Sequence, residues 1–198
     1  MKEHRLRGEI KKILSSHNRV TIPSEGHHIA GVLLVFYRKN TSLNLLLTRR
    51  SMSVAIHRGE ISFPGGTFED RDQSLVQTAL RETYEEVGIR VPQTDVIGAL
   101  DDVWTVKSDY IITPYLVMLD FPPSVSTNSE EIHEVLEIPI RELLRPKILG
   151  VKRVGTTAGF KRTYAYRYLD YEIWGATAKI LKQFLDLLTV NSNLVSAL

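Results

Sequence analysis

The sequence predicts an α/β protein, a sandwich of helices around a mixed β-sheet in one domain. Apolar runs of strand length recur along the chain, helical apolar spacing is confined to a few segments, and hairpin connections replace strict βαβ alternation. The 198 residues include 25 Lys plus Arg and 23 Asp plus Glu, with 43% hydrophobic residues. A chain of this length buries about 70% of its extended-state surface and needs no disulfide or metal staple to fold. Composition near the globular average excludes a disordered or fibrous protein. The absence of cysteine excludes disulfides, thiolate metal sites, cysteine nucleophiles and iron–sulfur clusters. A net charge of +2 gives no ground for a specific nucleic-acid partner. The apolar stretches around Ile29 to Tyr37 and Tyr110 to Leu119 are too short to span a bilayer, and the basic start lacks the apolar core of a secretory signal. The expectation is a cytoplasmic protein with no membrane partner.

The elements follow in order. Glu3 to Ser16 places Leu6, Ile10, Ile13 and Leu14 at helical spacing, a narrow stripe suited to docking on its own domain. Residues 1–20 are taken as this helical extension. Ile29 to Tyr37 and Leu43 to Thr48 read as strands joined by the turn Arg38 to Ser42. A short strand at Glu60 to Phe63 runs into Pro64-Gly65-Gly66, where regular structure stops. Ser74 to Val87 is helical, with Gly88 as its C-terminal cap. Strands are expected at Val96 to Val103, Tyr110 to Leu119, Val135 to Pro139 and Tyr164 to Leu169, and a short helix at Ile140 to Leu144. The segment Ser124 to Ser129 after Pro122-Pro123 is a loop, and the basic stretch Lys147 to Arg162 reads as a solvated one. Ile173 to Leu188 forms the last amphipathic helix, Trp104 belongs to the core, and residues 191–198 fray. A single domain over 21–190 results.

The helix from Ser74 carries an electrostatic conflict. At 100° per residue, Leu75, Val76, Ala79, Leu80, Thr83 and Val87 share one side, with Glu82, Glu85 and Glu86 beside it. Glu82 and Glu86 repel at i,i+4, by ~0.2–0.5 kcal/mol when exposed. All three carboxylates also lie near the negative end of the helix dipole. Arg81 pairs with Glu85 at i,i+4, leaving Glu82 and Glu86 without a helical cation partner. A hard divalent ion resolves the conflict, with Mg²⁺ or Mn²⁺ the natural choice for carboxylate oxygens. Gly65 and Gly66 would let backbone approach a bulky anion there. A run of glutamates can also be a solvated helix face; the upstream FPGG and the capping Gly88 favour the site.

These residues resemble the Nudix hydrolase family, whose signature reads G-x5-E-x7-R-E-U-x-E-E-x-G-U with U apolar. Arg81 to Ile89 matches its second half, with Thr83 at an apolar position. In the first half Gly66 and Arg81 are separated by 14 residues rather than 13, and Asp72 replaces the expected glutamate one residue out of place. That slip is shared by the coenzyme A pyrophosphatase branch, which adds an upstream pattern. Leu46-Leu47-Thr48, Arg50, Ser51, Gly59 and Phe63-Pro64-Gly65-Gly66 fall at its spacing, while Ala55 takes the place of its second arginine. The resemblance covers about residues 28–188.

The resemblance implies a Nudix-type α/β/α sandwich and a metal-dependent pyrophosphohydrolase. Glu82, Glu85 and Glu86 would hold one to three Mg²⁺ or Mn²⁺ ions that clamp the pyrophosphate and acidify a water attacking phosphorus. Arg81 would orient Glu85, and Gly65, Gly66, Arg50, His57 and Arg58 would line the substrate. Glu82 and Glu85, with Arg81, form the catalytic set; the general base is a glutamate of the signature, Glu85 foremost, or Glu130 or Glu131 in the loop. The substrate is a small nucleotide, best matched by coenzyme A or its thioesters. Ala55 keeps ADP-ribose, dinucleoside polyphosphates and oxidised nucleotides open. A non-catalytic nucleotide-binding module is the alternative, and retention of all three glutamates favours the enzyme. A homodimer stays open.

Overall fold

The computed structural model describes residues 2–53, 58–105, 108–128, 130–145, 148–156, 159–190 and 192–195. Strand β1 (His28–Lys39) lies at the centre because its apolar run is covered on both faces. Leu33, Val35 and Tyr37 point into one core and Leu34 and Phe36 into the other. A strand buried on both faces reads as a continuous apolar run rather than an alternation. β1 turns at Asn40 (φ 58°) into the antiparallel β2 (Ser42–Arg50). The short β4 (Gly65–Thr67) pairs antiparallel with Ala30 to Val32 on the same edge of β1 as β2, and β7 (Tyr110–Leu119) pairs in parallel along the other edge. β3 (Ile61–Ser62) and β8 (Ile132–Pro139) extend the sheet from β2, while β5 (Val96–Ala99) and β6 (Val103–Thr105) extend it from β7.

Helix α2 (Leu75–Val87) covers one face, setting Ala79 and Val87 against Leu33, Val35, Tyr37 and Val117. Helices α1 (Lys2–Ser16) and α4 (Gly175–Val190) cover the other with Leu6, Ile10, Leu14, Leu181, Phe184 and Leu188. Phe184 stacks on Phe36 with ring centroids 4.4 Å apart. The result is the expected α/β/α sandwich around a mixed sheet. The first helix docks on its own domain, as its stripe implied. A short α3 (Ile140–Leu143) follows β8. Among the described residues no helix is long and apolar enough to cross a membrane.

Four expectations need correction. The strand expected over Val96 to Val103 is two, because Asp102 turns inward between them. Its carboxylate accepts hydrogen bonds from Thr113 Oγ1 (2.7 Å), the Ile22 N–H (3.0 Å) and Arg19, fastening the segment after α1 to the sheet. The basic stretch taken for a loop is instead a hairpin of β9 (Leu149–Thr156) and β10 (Gly159–Tyr168), completed by β11 (Tyr171–Trp174) as a second, three-stranded sheet. Ile173 and Trp174, expected to open the last helix, belong to β11; Gly175, at φ 69°, makes the break. The tail contains α5 (Ser192–Val195), whose Leu194 is buried beside Ile10, Leu14 and Phe184 rather than frayed.

Candidate active site

Two adjoining features dominate the site, a cation clasp on the outer edge of α2 and an acidic recess under its inner edge. The clasp begins before the helix. Asp72, with a side chain only 4% exposed, accepts hydrogen bonds from the Glu69 N–H (3.0 Å), Thr78 Oγ1 (2.9 Å), and Nε and Nη2 of Arg81 (both 2.9 Å). The Arg81 guanidinium and these donors hold the Asp72 carboxyl well below the usual carboxylate range, and Asp72 in turn holds Arg81 firmly charged. Arg81 then donates through Nη1 to Glu82 Oε1 and Glu85 Oε2 (each 2.9 Å), and through Nη2 to the Thr67 carbonyl (3.2 Å). The i,i+4 pair with Glu85 is present. Glu82, expected to lack a helical cation partner, also has one in Arg81, its immediate neighbour. Glu85 is exposed and is shared with Arg71 at 3.2 Å.

The recess is made by glycines. A Cβ on Gly66 would lie 2.4–2.7 Å from the Glu82 carboxylate, and one on Gly65 would lie 2.4 Å from the Gly31 carbonyl. On the side where a Cβ would stand, the room these residues leave is taken by Glu82 and by β1. Gly31 in turn lets α2 approach, since its Cβ would meet the Leu75 carbonyl at 2.3 Å. Glu86 is 2% exposed, deeper than the stripe edge its spacing suggested, and accepts the Gly65 N–H at 3.1 Å. Its guanidinium neighbour Arg50 stands at 3.7 Å, too long for a direct bond. Burial pushes the Glu86 carboxyl up to about 8, with the charges of Glu82 and Glu131 adding to the effect. Glu82 is raised for the same first cause, against the pull of Arg81.

Glu131 reaches this recess because the loop before β8 caps α2. Gly88, left-handed at φ 73°, ends the helix, and the Ser126 and Asn128 N–H groups donate to the Val87 and Glu86 carbonyls (3.0 and 2.9 Å). The Ser51 N–H then holds the Glu131 carbonyl at 2.7 Å, beside Arg50. The sequence named Glu130 and Glu131 together; of the two, Glu131 adds its negative charge to that which Glu85 exerts on Glu82 and Glu82 on Glu86. Arg49 turns instead to Glu134 (2.9 Å), which also accepts from the Tyr171 hydroxyl. Arg58 is exposed in the turn before β3, next to Gly59, whose N–H donates to the Arg50 carbonyl at 3.2 Å. His57 and Ala55 lie outside the described residues.

Among the described residues no three His, Asp or Glu side chains converge closely enough, as they stand, to hold an ion. The donor set nevertheless fits a hard divalent cation. Glu82, half-buried, and Glu86, buried, offer only oxygens, have raised carboxyls and feel the charge of a further acid, Glu131. Asp72 was legible only as a displaced glutamate. Its grip on Arg81, nine residues away, has no helical spacing to betray it because Asp72 precedes the helix.

A NUDIX domain model matches residues 27–156. The chain belongs to the Nudix family. It is 35% identical over 160 residues to the Nudix hydrolase NudL of Photorhabdus laumondii, covering 81% of this chain and 84% of that one. It is 30% identical over 190 residues to Nudix hydrolase 3 of Caenorhabditis elegans, covering 88% and 79%. The fold is shared with a MutT/nudix family protein from Enterococcus faecalis (TM-score 0.56, 16% identity, 94% of this chain and 74% of that one). A C. elegans Ap4A hydrolase shares it too (TM-score 0.52, 17% identity, 82% and 98%). This Nudix protein is a hydrolase of a family that acts on small nucleotide substrates with divalent cations.

Proposed function

We propose that the protein is a Mg²⁺- or Mn²⁺-dependent pyrophosphohydrolase of a nucleoside diphosphate derivative, with coenzyme A or its thioesters as substrate. The observation that carries the hydrolytic reading is Glu86, a buried acid one helical turn from the half-buried Glu82 and within the field of Glu131. Such a recess costs stability unless a cation enters it. Glu82, Glu85 and Glu86 would hold that cation, which supplies charge neutralisation of the pyrophosphate and acidification of a water.

The chain's own residues do the rest. Asp72 fixes Arg81, and Arg81 fixes Glu82 and Glu85 at their carboxylates. Glu131 or Glu85 takes the proton of the attacking water. The water oxygen bonds to phosphorus while the bridging P–O bond breaks, giving 3′,5′-ADP and 4′-phosphopantetheine from coenzyme A. Arg50, flanking Glu86, meets the phosphates from the β2 side, with His57 and Arg58 following it in the chain. The coenzyme A assignment rests on Leu46-Leu47-Thr48, Arg50, Ser51, Gly59 and Phe63-Pro64-Gly65-Gly66 at that branch's spacing. Ala55, in place of the branch arginine, favours a second reading in which ADP-ribose or a dinucleoside polyphosphate is the substrate. Product analysis with Mg²⁺ or Mn²⁺ separates these. Release of 3′,5′-ADP and 4′-phosphopantetheine supports the first, cleavage of ADP-ribose alone the second, and no product from any substrate refutes both.

A further inference from the structure

We infer that Trp104, with His27, Asp109, Tyr110 and His28, forms a nucleobase-stacking platform for the substrate of the site above. The inference deepens the pyrophosphohydrolase reading and rests on it for the identity of that substrate. Trp104, expected in the core, is 46% exposed. An exposed tryptophan on a mobile surface would leave its ring free, but this one is gripped by its edge. Its indole N–H donates to Asp109 Oδ1 at 3.0 Å, and the His27 ring shares the same oxygen at 2.8 Å. The His27 and Trp104 rings meet edge to face with centroids 6.0 Å apart. Asp109 can serve both because it stands in the left-handed region (φ 56°), at the end of the turn in which Thr105 Oγ1 accepts the Tyr110 N–H at 2.9 Å. The polar edge of the indole is therefore satisfied while much of its surface faces water. That is the preorganisation a stacking partner needs, since the ring loses little freedom when covered.

The platform is joined to the acidic site through one residue. His28 stacks on Tyr110 with centroids 5.1 Å apart, and the Tyr110 hydroxyl lies 3.1 Å from Thr67 Oγ1. Thr67 carries the carbonyl that Arg81 holds, and it follows Gly66, against which Glu82 rests. A nucleotide whose phosphates lie at Glu82 thus has aromatic rings on the neighbouring strand ends, where its base would extend. With the Asp109 oxygen taken up by His27 and the indole N–H, the exposed indole surface leaves a flat base as the fitting occupant. Purines present the larger face, so adenine nucleotides should be held more tightly than pyrimidine ones.

The test is equilibrium binding of adenosine 5′-monophosphate and of ribose 5-phosphate to the full chain in Mg²⁺. Neither ligand contains an anhydride, so the readout does not depend on turnover. Trp104→Ala should weaken the adenine nucleotide by roughly 5- to 150-fold and leave ribose 5-phosphate unchanged. Trp104→Phe, which keeps a ring but loses the bond to Asp109, should stay within a few-fold of wild type. Trp104→Thr, suited to strand β6, replaces the alanine variant if that one does not fold. Unchanged affinity in Trp104→Ala overturns the proposal. So does equal loss in Trp104→Phe, which would assign Trp104 to bracing the turn, and so does wild-type binding of the nucleotide no tighter than of the sugar phosphate. A wild-type protein that binds the nucleotide through Trp104 but hydrolyses no nucleoside diphosphate derivative would instead sink the hydrolytic reading alone.

Discussion

Replacing Asp72 by Asn removes one charge and nothing of the shape, and it strikes the tether on which the acidic face depends. Asn retains one oxygen acceptor, whereas Asp72 uses both oxygens for four hydrogen bonds, two of them from Arg81. Breaking a buried ion pair by removing one partner costs about 3–5 kcal/mol. Arg81 keeps Glu82 and Glu85, so its charge is not stranded and the loss falls near the lower end, about 3 kcal/mol. The sign with pH follows from the direction of the shift. The folded carboxyl lies below its unfolded value, so its contribution is fully present above the unfolded pKa near 4 and is lost as pH falls below it. Urea unfolding of wild type and Asp72→Asn should therefore show the full gap at pH 7 and a narrowing one toward pH 3. Turnover should fall more than tenfold through kcat, because Arg81, still paired with Glu82 and Glu85 but no longer anchored by Asp72, does not hold their carboxylates in place, with KM little changed. Equal stability at pH 7 together with wild-type kcat would refute the tether.

Three further outcomes follow from the same geometry. Gly66→Ala should fold but lose most turnover, because its Cβ displaces the movable end of Glu82; thermal melts and initial rates separate the two effects. Gly31→Ala should instead cost stability, ~3 kcal/mol or more, because the obstacle is the Leu75 backbone on α2, and chemical denaturation reads that loss. In chelator, Glu86 keeps its proton to about pH 8 when folded and loses it near 4.5 when unfolded, so stability falls as pH rises between those values. Glu86→Gln should accordingly stabilise the metal-free protein at pH 8, by on the order of 4 kcal/mol at most, and hardly at all at pH 4, as denaturation at the two pH values would show.

The sandwich was legible where burial writes itself into the sequence. β1 and β7 are covered on both faces and so appear as unbroken apolar runs, and α2 is marked by period and by Gly88. β9 escaped because its exposed, basic residues carry no alternation that a packed face would impose. Ile173 continued the apolar spacing of α4 and hid the break at Gly175. In the site, the glutamates of α2 were readable from local spacing, but the depth of Glu86 was not, since it depends on β4 lying over the helix. The charge of Glu131 comes near through a loop that caps α2 from far along the chain, and Trp104 was misplaced because its indole N–H bonds to a turn residue, Asp109, rather than into a core.

The central claim is that Glu82 and Glu86 form a recess that a divalent cation must occupy for hydrolysis. Calorimetric Mn²⁺ titration of wild type and Glu86→Gln, with turnover of coenzyme A measured on the same samples, tests it most directly. Wild type should bind Mn²⁺ with proton release near pH 7 and turn over, while Glu86→Gln should fold normally, bind the ion far more weakly and be inactive. Undiminished Mn²⁺ affinity and near-normal turnover in Glu86→Gln would contradict the claim.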